Sequence, residues 1–409
     1  MDNAGSLEMA ARSHRRSAEE WDRLVAEARR LPGLENFLRP RKVTDLAPAA
    51  RRGSIVVINV HKSRCDALVL RPGQDGVMHI PLPLFSHEKA TKAQSGWTES
   101  LQGFGIRDRG FRKASMPRPN IMNGGEVLAL LWTEVVEPVL SALGYLRIQP
   151  TESPLPHITW CTTGPLSFVP IHAAGDYSPE TPQKKVYNYV ISSYTPTLSA
   201  LLSPAKRPDE FRGLLTVGQD LTAGLSPLPC ANEELEQIKR IAGDLSIIQL
   251  AGDEATVDSV LNQMKSSSWV HLACHAVQDA VNPTESSFFL HDGRLNLATI
   301  TQEPLKHAGF AFLSACQTAL GHKELPEEAI HLAAGMIMAG YPTVIGTMWS
   351  IRDSLAPVVA TQVYARLLKN GVPSTEQAAQ ALHEAVAYLR NEVGENRFED
   401  WAPFIHIGV

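Results

Sequence analysis

The sequence lacks most of the features that assign a function quickly. Five cysteines (Cys65, Cys161, Cys230, Cys274 and Cys316) are spread over 409 residues with no CxxC pair and no His-plus-Cys zinc spacing. That excludes a disulfide framework and a structural zinc site, and it predicts a reduced, intracellular chain. No apolar run approaches the ~20 residues of a membrane span, and the first forty residues are charged, without the apolar stretch of a signal peptide. The expectation is therefore a soluble cytoplasmic protein that makes no use of a membrane. The net charge is -5 with a pI near 6.3 and no long basic stripe, which argues against a nucleic-acid partner. The phosphate-loop pattern GxxxxGK[ST] is missing, and Thr163, Gly164 and Pro165 form a tight turn in its place. The GxSxG elbow of serine hydrolases is missing too. His157, His172 and His291 have no ligand partners at useful spacing, so they read as structural, and neither a metal nor a cofactor is expected.

What remains is ordinary globular composition, 44% hydrophobic and 20% charged, enough for two cores or one composite core. Residues 18–31 carry an amphipathic helix, with Trp21, Leu24, Val25, Ala28 and Leu31 on one face. Residues 54–60 (SIVVINV) and 66–70 read as strands. The stretch 82–122 lacks clear periodicity and is expected to be a long exposed loop. A helix is predicted over 125–145, followed by strand-like segments at 157–161 and 189–194. From residue 214 strands and helices alternate. Strands fall at 214–217, 246–250, 269–274, 310–315 and 343–348. Helices fall at 231–241, 256–264, 326–339, 354–369 and 375–393, and a last strand covers 404–409. Such alternation predicts a mostly parallel sheet flanked by helices, with chemistry gathered outside the carboxyl ends of its strands.

Two of those strands end in reactive side chains, WVHLAC before His275 and FAFLSA before Cys316. Singly, each residue is ordinary packing. Together they meet the needs of a thiol hydrolase: a nucleophile, a nearby imidazole and backbone N–H groups for the oxyanion. Neighbouring strands lie about 4.8 Å apart, so adjacent tips bring thiol and imidazole within reach. Imidazolium beside the thiol lowers its pKa. The amides of Ala276 and Cys316 are the natural oxyanion donors.

HLACHAVQD (271–279) followed by LSACQTALG (313–321) closely resembles the signature of the CHAT family, caspase-like cysteine peptidases associated with TPR repeats. TGPLSFVPIHAAG (163–175), HLAAGMIMAGYPTVIGTMWSIRD (331–353) and WAPFIHIG (401–408) resemble further family segments in the same order. The resemblance covers roughly 125–409. It implies an α/β caspase-like sandwich, with residues 51–204 as a silent pseudo-caspase half and 205–409 as the active half, behind an N-terminal segment, 1–50. It also implies that His275 is the general base and Cys316 the nucleophile, in metal-free peptide hydrolysis. The wording is most like fungal members, whose genes often neighbour gasdermin-like pore formers. The resemblance therefore implies a protein substrate of that kind, a role in regulated cell death, and a TPR sensor region or other regulator as partner. The family usually has Gly directly after the histidine. Ala276 stands there instead, and would cost about 1–2 kcal/mol if the backbone required positive φ.

Asp353 occupies the place of an acid that pairs with a basic P1 side chain in separase-like enzymes; equally, it fits a helix N-cap. Asp279 either lines the cleft or forms a turn with Asn282 and Pro283. Trp349 either walls the substrate pocket or belongs to the core. Glu327 and Glu328 fit the positive end of their own helix. The competing reading is a pseudopeptidase that signals by binding, supported chiefly by Ala276. An esterase or acyltransferase using the same dyad is the third.

Overall fold

A computed structural model describes residues 3–103, 122–147, 155–181, 183–202, 211–279, 282–314 and 331–409, and the backbone of 316–320. The chain begins with α1 (Asn3–Ala28), of which the amphipathic stretch forms the end. Val25 is buried there, while Trp21 and Leu24 are exposed. After the short α2 (Val43–Leu46) the chain turns at Gly53, where a Cβ would lie 2.3 Å from the His157 carbonyl oxygen, so only glycine fits. An antiparallel meander follows, β1 (Ser54–Val60), β2 (Cys65–Leu70) and β3 (Val77–Pro81).

The loop expected at 82–122 is corrected in its first part. Residues His87–Gly103 form helix α3, which buries Ala90, Ala93, Trp97 and Leu101. Those four positions are spaced by 3, 4 and 4, a helical stripe hidden in the sequence by its two alanines. Residues 104–121 lie outside the described set.

The helix expected at 125–145 is interrupted. Asn123 caps α4 (Gly124–Leu131) in a reciprocal pair with Glu126, and α5 (Glu137–Leu143) ends at Gly144 with φ 76°. Between them, Trp132–Val136 form a wide π-type turn. Pro138 has no N–H to give its fourth predecessor, and the wide turn accommodates that gap.

The remaining elements are β4 (His157–Thr162), β5 (Ile191–Tyr194), β6 (Leu214–Gly218), α6 (Cys230–Ala242), β7 (Ile247–Ala251), α7 (Val257–Ser266), β8 (Trp269–Ala273), β9 (His275–Asp279), β10 (Ser287–Phe289), β11 (Arg294–Asn296), α8 (Leu297–Gln302), β12 (Phe310–Leu313), β13 (Cys316–Leu320), α9 (His331–Met338), β14 (Thr343–Thr347), α10 (Ala356–Leu367), α11 (Ala378–Val393), α12 (Phe398–Trp401) and β15 (Phe404–Gly408).

Eleven strands form one sheet in the order β3-β2-β1-β4-β5-β15-β14-β12-β8-β6-β7. Most neighbours are parallel. The exceptions are the β1–β2–β3 meander and the β14–β15 pair. Because β15 is antiparallel to β14 but parallel to β5, the sheet holds two parallel blocks that run in opposite directions. Strands β6, β8, β14 and β15 are buried along their whole length, as expected where helices cover both faces. The architecture is the α/β one expected from the sequence, a large mostly parallel sheet flanked by helices.

Candidate active site

Parallel strands β8 and β12 pair in register, Leu272 with Leu313, in the middle of the second block. Both continue beyond the sheet edge. β8 passes through Cys274 into β9, and β12 leads on to β13; β9 and β13 then pair in parallel within a second sheet, ordered β11-β10-β9-β13. The sequence suggested that His275 and Cys316 end their strands. In the structure each instead begins the next one, and in the ladder Cys316 stands directly opposite His275. Adjacent strands are about 4.8 Å apart, so the two backbones are immediate neighbours.

His275 is nearly buried, 4% exposed. Its Nε2 lies 2.7 Å from the carbonyl oxygen of Ser226, in the loop between β6 and α6. A carbonyl only accepts, so Nε2 carries the proton and Nδ1 a lone pair. Among the described residues Nδ1 has no hydrogen-bond partner. A buried unpaired acceptor costs about 1–3 kcal/mol, and such unsatisfied groups call for a functional account.

The same loop is held at its other end by Asp353, whose Oδ2 accepts the Cys230 N–H at 2.8 Å. Asp353 therefore caps α6 rather than its own helix, because the chain turns through 353–355 before α10 begins. It stands at the carboxyl edge of the sheet, beyond β14, with no ion-pair partner among the described residues. Burial and the Asp353 carboxylate push the Cys230 thiol up to about 11, and burial alone pushes Cys161 up to about 11. At neutral pH neither is a competing thiolate.

Beneath the site lies a cluster that the sequence reading missed. Glu234 on α6 is buried; its Oε2 accepts the Ser314 hydroxyl at 3.0 Å and its Oε1 lies 3.2 Å from Nε2 of His271. Tyr364 faces the other ring nitrogen of His271 at 3.4 Å. Ser314 is two residues before Cys316 and His271 four before His275, so one carboxylate is hydrogen-bonded to one of the strands that lead to the candidate dyad and packs against the other, although its Oε1 and His271 Nε2 form no hydrogen bond. The signal was present: Ala231, Glu234, Leu235 and Ile238 share the buried face of α6, and an acid on such a face needs partners.

The other expected residues fall out differently. Ala276 is buried inside β9, paired with Phe288 of β10 on one side and Gln317 of β13 on the other. Every amide of an inner strand faces one neighbour, so its N–H reaches an oxyanion only if that ladder parts. The feared strain is absent, however. Among the described residues the positive-φ ones other than glycine are Leu38 and Asn370, so Ala276, inside β9, has ordinary extended backbone. Asp279 accepts the Asn282 N–H at 2.9 Å and sits four residues beyond His275, about 13 Å along the strand, which places it in a turn away from the dyad. Trp349 is buried, gives its indole N–H to the Glu399 carbonyl and meets Trp97 edge-on at 5.4 Å; it belongs to the packing rather than to the cleft surface. Glu327 and Glu328 lie outside the described residues. His172 is saturated by Tyr194 and Ala402. No cluster of metal-ligating side chains occurs among the described residues, and none of their helices is long and apolar enough to cross a membrane.

Against solved structures, the chain is similar to separase in two Saccharomyces cerevisiae separase–securin complexes. TM-scores are 0.56 and 0.55 at 11% and 12% identity, over 90% of this chain but only 31% and 30% of separase. It also matches gingipain R, an Arg-specific cysteine proteinase, with a TM-score of 0.44 and 12% identity over 67% of each chain. No curated protein matches by sequence. The separase likeness shows a shared caspase-like fold. The CHAT domain model matches residues 125–409, well over half of the sequence, and the chain belongs to the CHAT domain family.

Proposed function

We propose that the chain is a caspase-like cysteine endopeptidase in which Cys316 is the nucleophile and His275 the general base. The observation that carries this reading is the ladder register of Cys316 with His275, combined with an imidazole whose only open nitrogen is a lone pair. Nδ1 takes the Sγ proton as sulfur attacks the peptide carbonyl carbon. The Cys316 N–H supports the oxyanion, joined by that of Ala276 where its ladder opens beside the dyad. As the tetrahedral species collapses, the imidazolium returns its proton to the leaving amine. Water then attacks the thioester, giving its proton to Nδ1, and the restored thiol leaves the carboxyl product. Neither metal nor cofactor enters these steps.

Asp353 would receive a basic P1 side chain. Its carboxylate holds the end of the loop whose Ser226 carbonyl orients His275, and among the described residues it has no cationic partner of its own. Residues 205–409 form the active half, 51–204 the silent half, and 1–50 a leading segment. By analogy with related genes, a gasdermin-like protein in a cell-death pathway is the substrate class to try first, with a TPR region as regulator. A pseudopeptidase is the second reading, and the laddered Ala276 amide favours it.

Cleavage of a P1-diverse peptide library by the wild type and by Cys316→Ala decides between them. Cuts present only in the wild type, after Arg or Lys, support the peptidase. An intact Cys316 that neither cuts nor reacts with thiol-directed peptide probes supports the binding module.

A further inference from the structure

The exposed apolar side chains among the described residues are unevenly placed. Six of the fifteen large ones, Trp21, Leu24, Leu31, Leu34, Phe37 and Leu38, lie between residues 21 and 38, each 40–58% exposed. Single exposed leucines are ordinary, but such a concentration marks an interaction surface.

The molecule gives α1 little to pack on. Val25 is buried, yet no described α1 side chain belongs to a hydrophobic core of the molecule. The segment behind the helix is tied back to it, Arg29 Nε donating to the Phe37 carbonyl at 2.8 Å, which holds the exposed Leu31, Leu34 and Phe37 near the helix end. The 26 residues of α1 span about 39 Å. A helix in a protein owes most of its stability to the packing of an apolar face, so a helix of this length calls for a partner on its open side.

The charges on α1 identify that partner. Residues 12–16 carry Arg12, Arg15 and Arg16 and no acid, whereas residues 19–27 carry Glu19, Glu20, Asp22 and Glu27 against a single Arg23. All of these side chains are exposed. Arg23 pairs with Glu27 at 3.3 Å, but among the described residues Arg15, Arg16, Glu19, Glu20 and Asp22 form no ion pair. The helix dipole does not account for the order, since it favours acids toward the N-terminus and bases toward the C-terminus. A second copy of the same helix does. Laid antiparallel about a two-fold axis near Ala18, the basic block of each copy faces the acidic block of the other, with the apolar side chains between them. Laid parallel, like charge faces like. The antiparallel contact is isologous and closes at two copies. We propose that α1 pairs antiparallel with α1 of a second copy of this chain, forming a two-fold dimer.

The inference does not depend on the peptidase reading, and analytical ultracentrifugation of the full chain tests it. We expect a monomer–dimer equilibrium with a dissociation constant of about 1–100 µM. Trp21→Glu should weaken association by about tenfold or more. Reversing the acidic block (Glu19→Lys, Glu20→Lys and Asp22→Lys together) should abolish it, and so should reversing the basic block (Arg12→Glu, Arg15→Glu and Arg16→Glu together). A mixture of those two variants should form heterodimers, and a chain carrying both reversals should dimerise again. Every position is exposed and outside the core, and thermal unfolding checks that the fold is kept. The chain with both reversals also has its charges in the order the helix dipole favours, so a failure to recover cannot be laid to a weakened helix. A wild type that stays monomeric to about 0.1 mM would overturn the proposal and leave the apolar face to a different protein. Dimers that persist undiminished in either single reversal, or that do not return with both, would overturn it as well.

Discussion

The two blocks of the central sheet are built alike and end differently. In the first block, β4 finishes at Thr162, and Thr163 is stitched back to β1: its hydroxyl donates to the Ile58 carbonyl and accepts the Val60 N–H. The neighbouring His172 has both ring nitrogens occupied, Nε2 giving its proton to the Ala402 carbonyl and Nδ1 facing the Tyr194 hydroxyl. In the second block, β8 and β12 run on into a second sheet, and the histidine at that crossing keeps one nitrogen open. A strand end closed by its own backbone and side chains has nothing left to offer a substrate. One that crosses to a second sheet holds two residues in register beyond the sheet edge, and the difference lies in a few residues past each strand.

The sharpest way to break this comparison is to remove the dyad. Cys316→Ala and His275→Ala should each lower peptide cleavage by about 10⁴-fold or more, measured with an active-site-labelling probe and a P1-basic peptide. His172→Gln, the counterpart in the first block, should leave the rate within twofold. Equal losses for all three would mean that the dyad is structural. Next in size is the buried carboxylate beneath the site. Glu234→Ala leaves the buried Ser314 hydroxyl without its acceptor and should cost about 1–3 kcal/mol in chemical denaturation. Glu234→Gln, which keeps the Ser314 contact, should cost far less.

Asp353 separates specificity from capping. Asp353→Asn keeps an oxygen for the Cys230 N–H, so it should preserve stability while cutting the preference for Arg or Lys at P1 by about tenfold or more. Asp353→Ala should lose both, with about 1 kcal/mol of stability. If Asn retains the preference, the residue is only a cap.

The buried histidines give a smaller, graded effect. Burial holds His157, His172 and His383 down to about 4 and His406 down to about 3, from an ordinary value near 6.5. These rings stay neutral in the fold while the unfolded chain takes up protons below pH 6.5. Stability should therefore be full above that pH and fall as the pH drops toward 4. Each ring contributes a slope of about 1.4 kcal/mol per pH unit, and His172→Gln should remove one such contribution. Urea unfolding at several pH values measures it. Smallest is Ala276→Gly. Because Ala276 is extended, glycine relieves no strain; it should change cleavage by less than about twofold and cost about 0.5–1 kcal/mol. A large gain in rate would show that the Ala276 amide must turn out of its ladder and that alanine resists it.

Much of the candidate site was legible in the chain itself, in two apolar runs, each leading to a candidate reactive side chain, with strand–helix alternation around them. Local composition is enough for that, because a buried parallel strand needs continuous apolar residues and a break marks its end. The same reasoning failed at 87–103, where alanine-rich spacing hid a helix, and at Glu234, where a buried acid looked like one more charge on a helix surface. It also left Asp353 undecided, since capping from a distance is invisible to neighbouring residues.

Sequence alone therefore marked the candidate residues and the apolar runs that lead to them, because side-chain chemistry and strand propensity are local. Only the tertiary structure decided that Cys316 and His275 share a register, that Ser226 fixes the imidazole tautomer, and that Asp353 caps a helix 123 residues earlier. Each of those is a meeting of distant segments, set by how the sheet orders its strands.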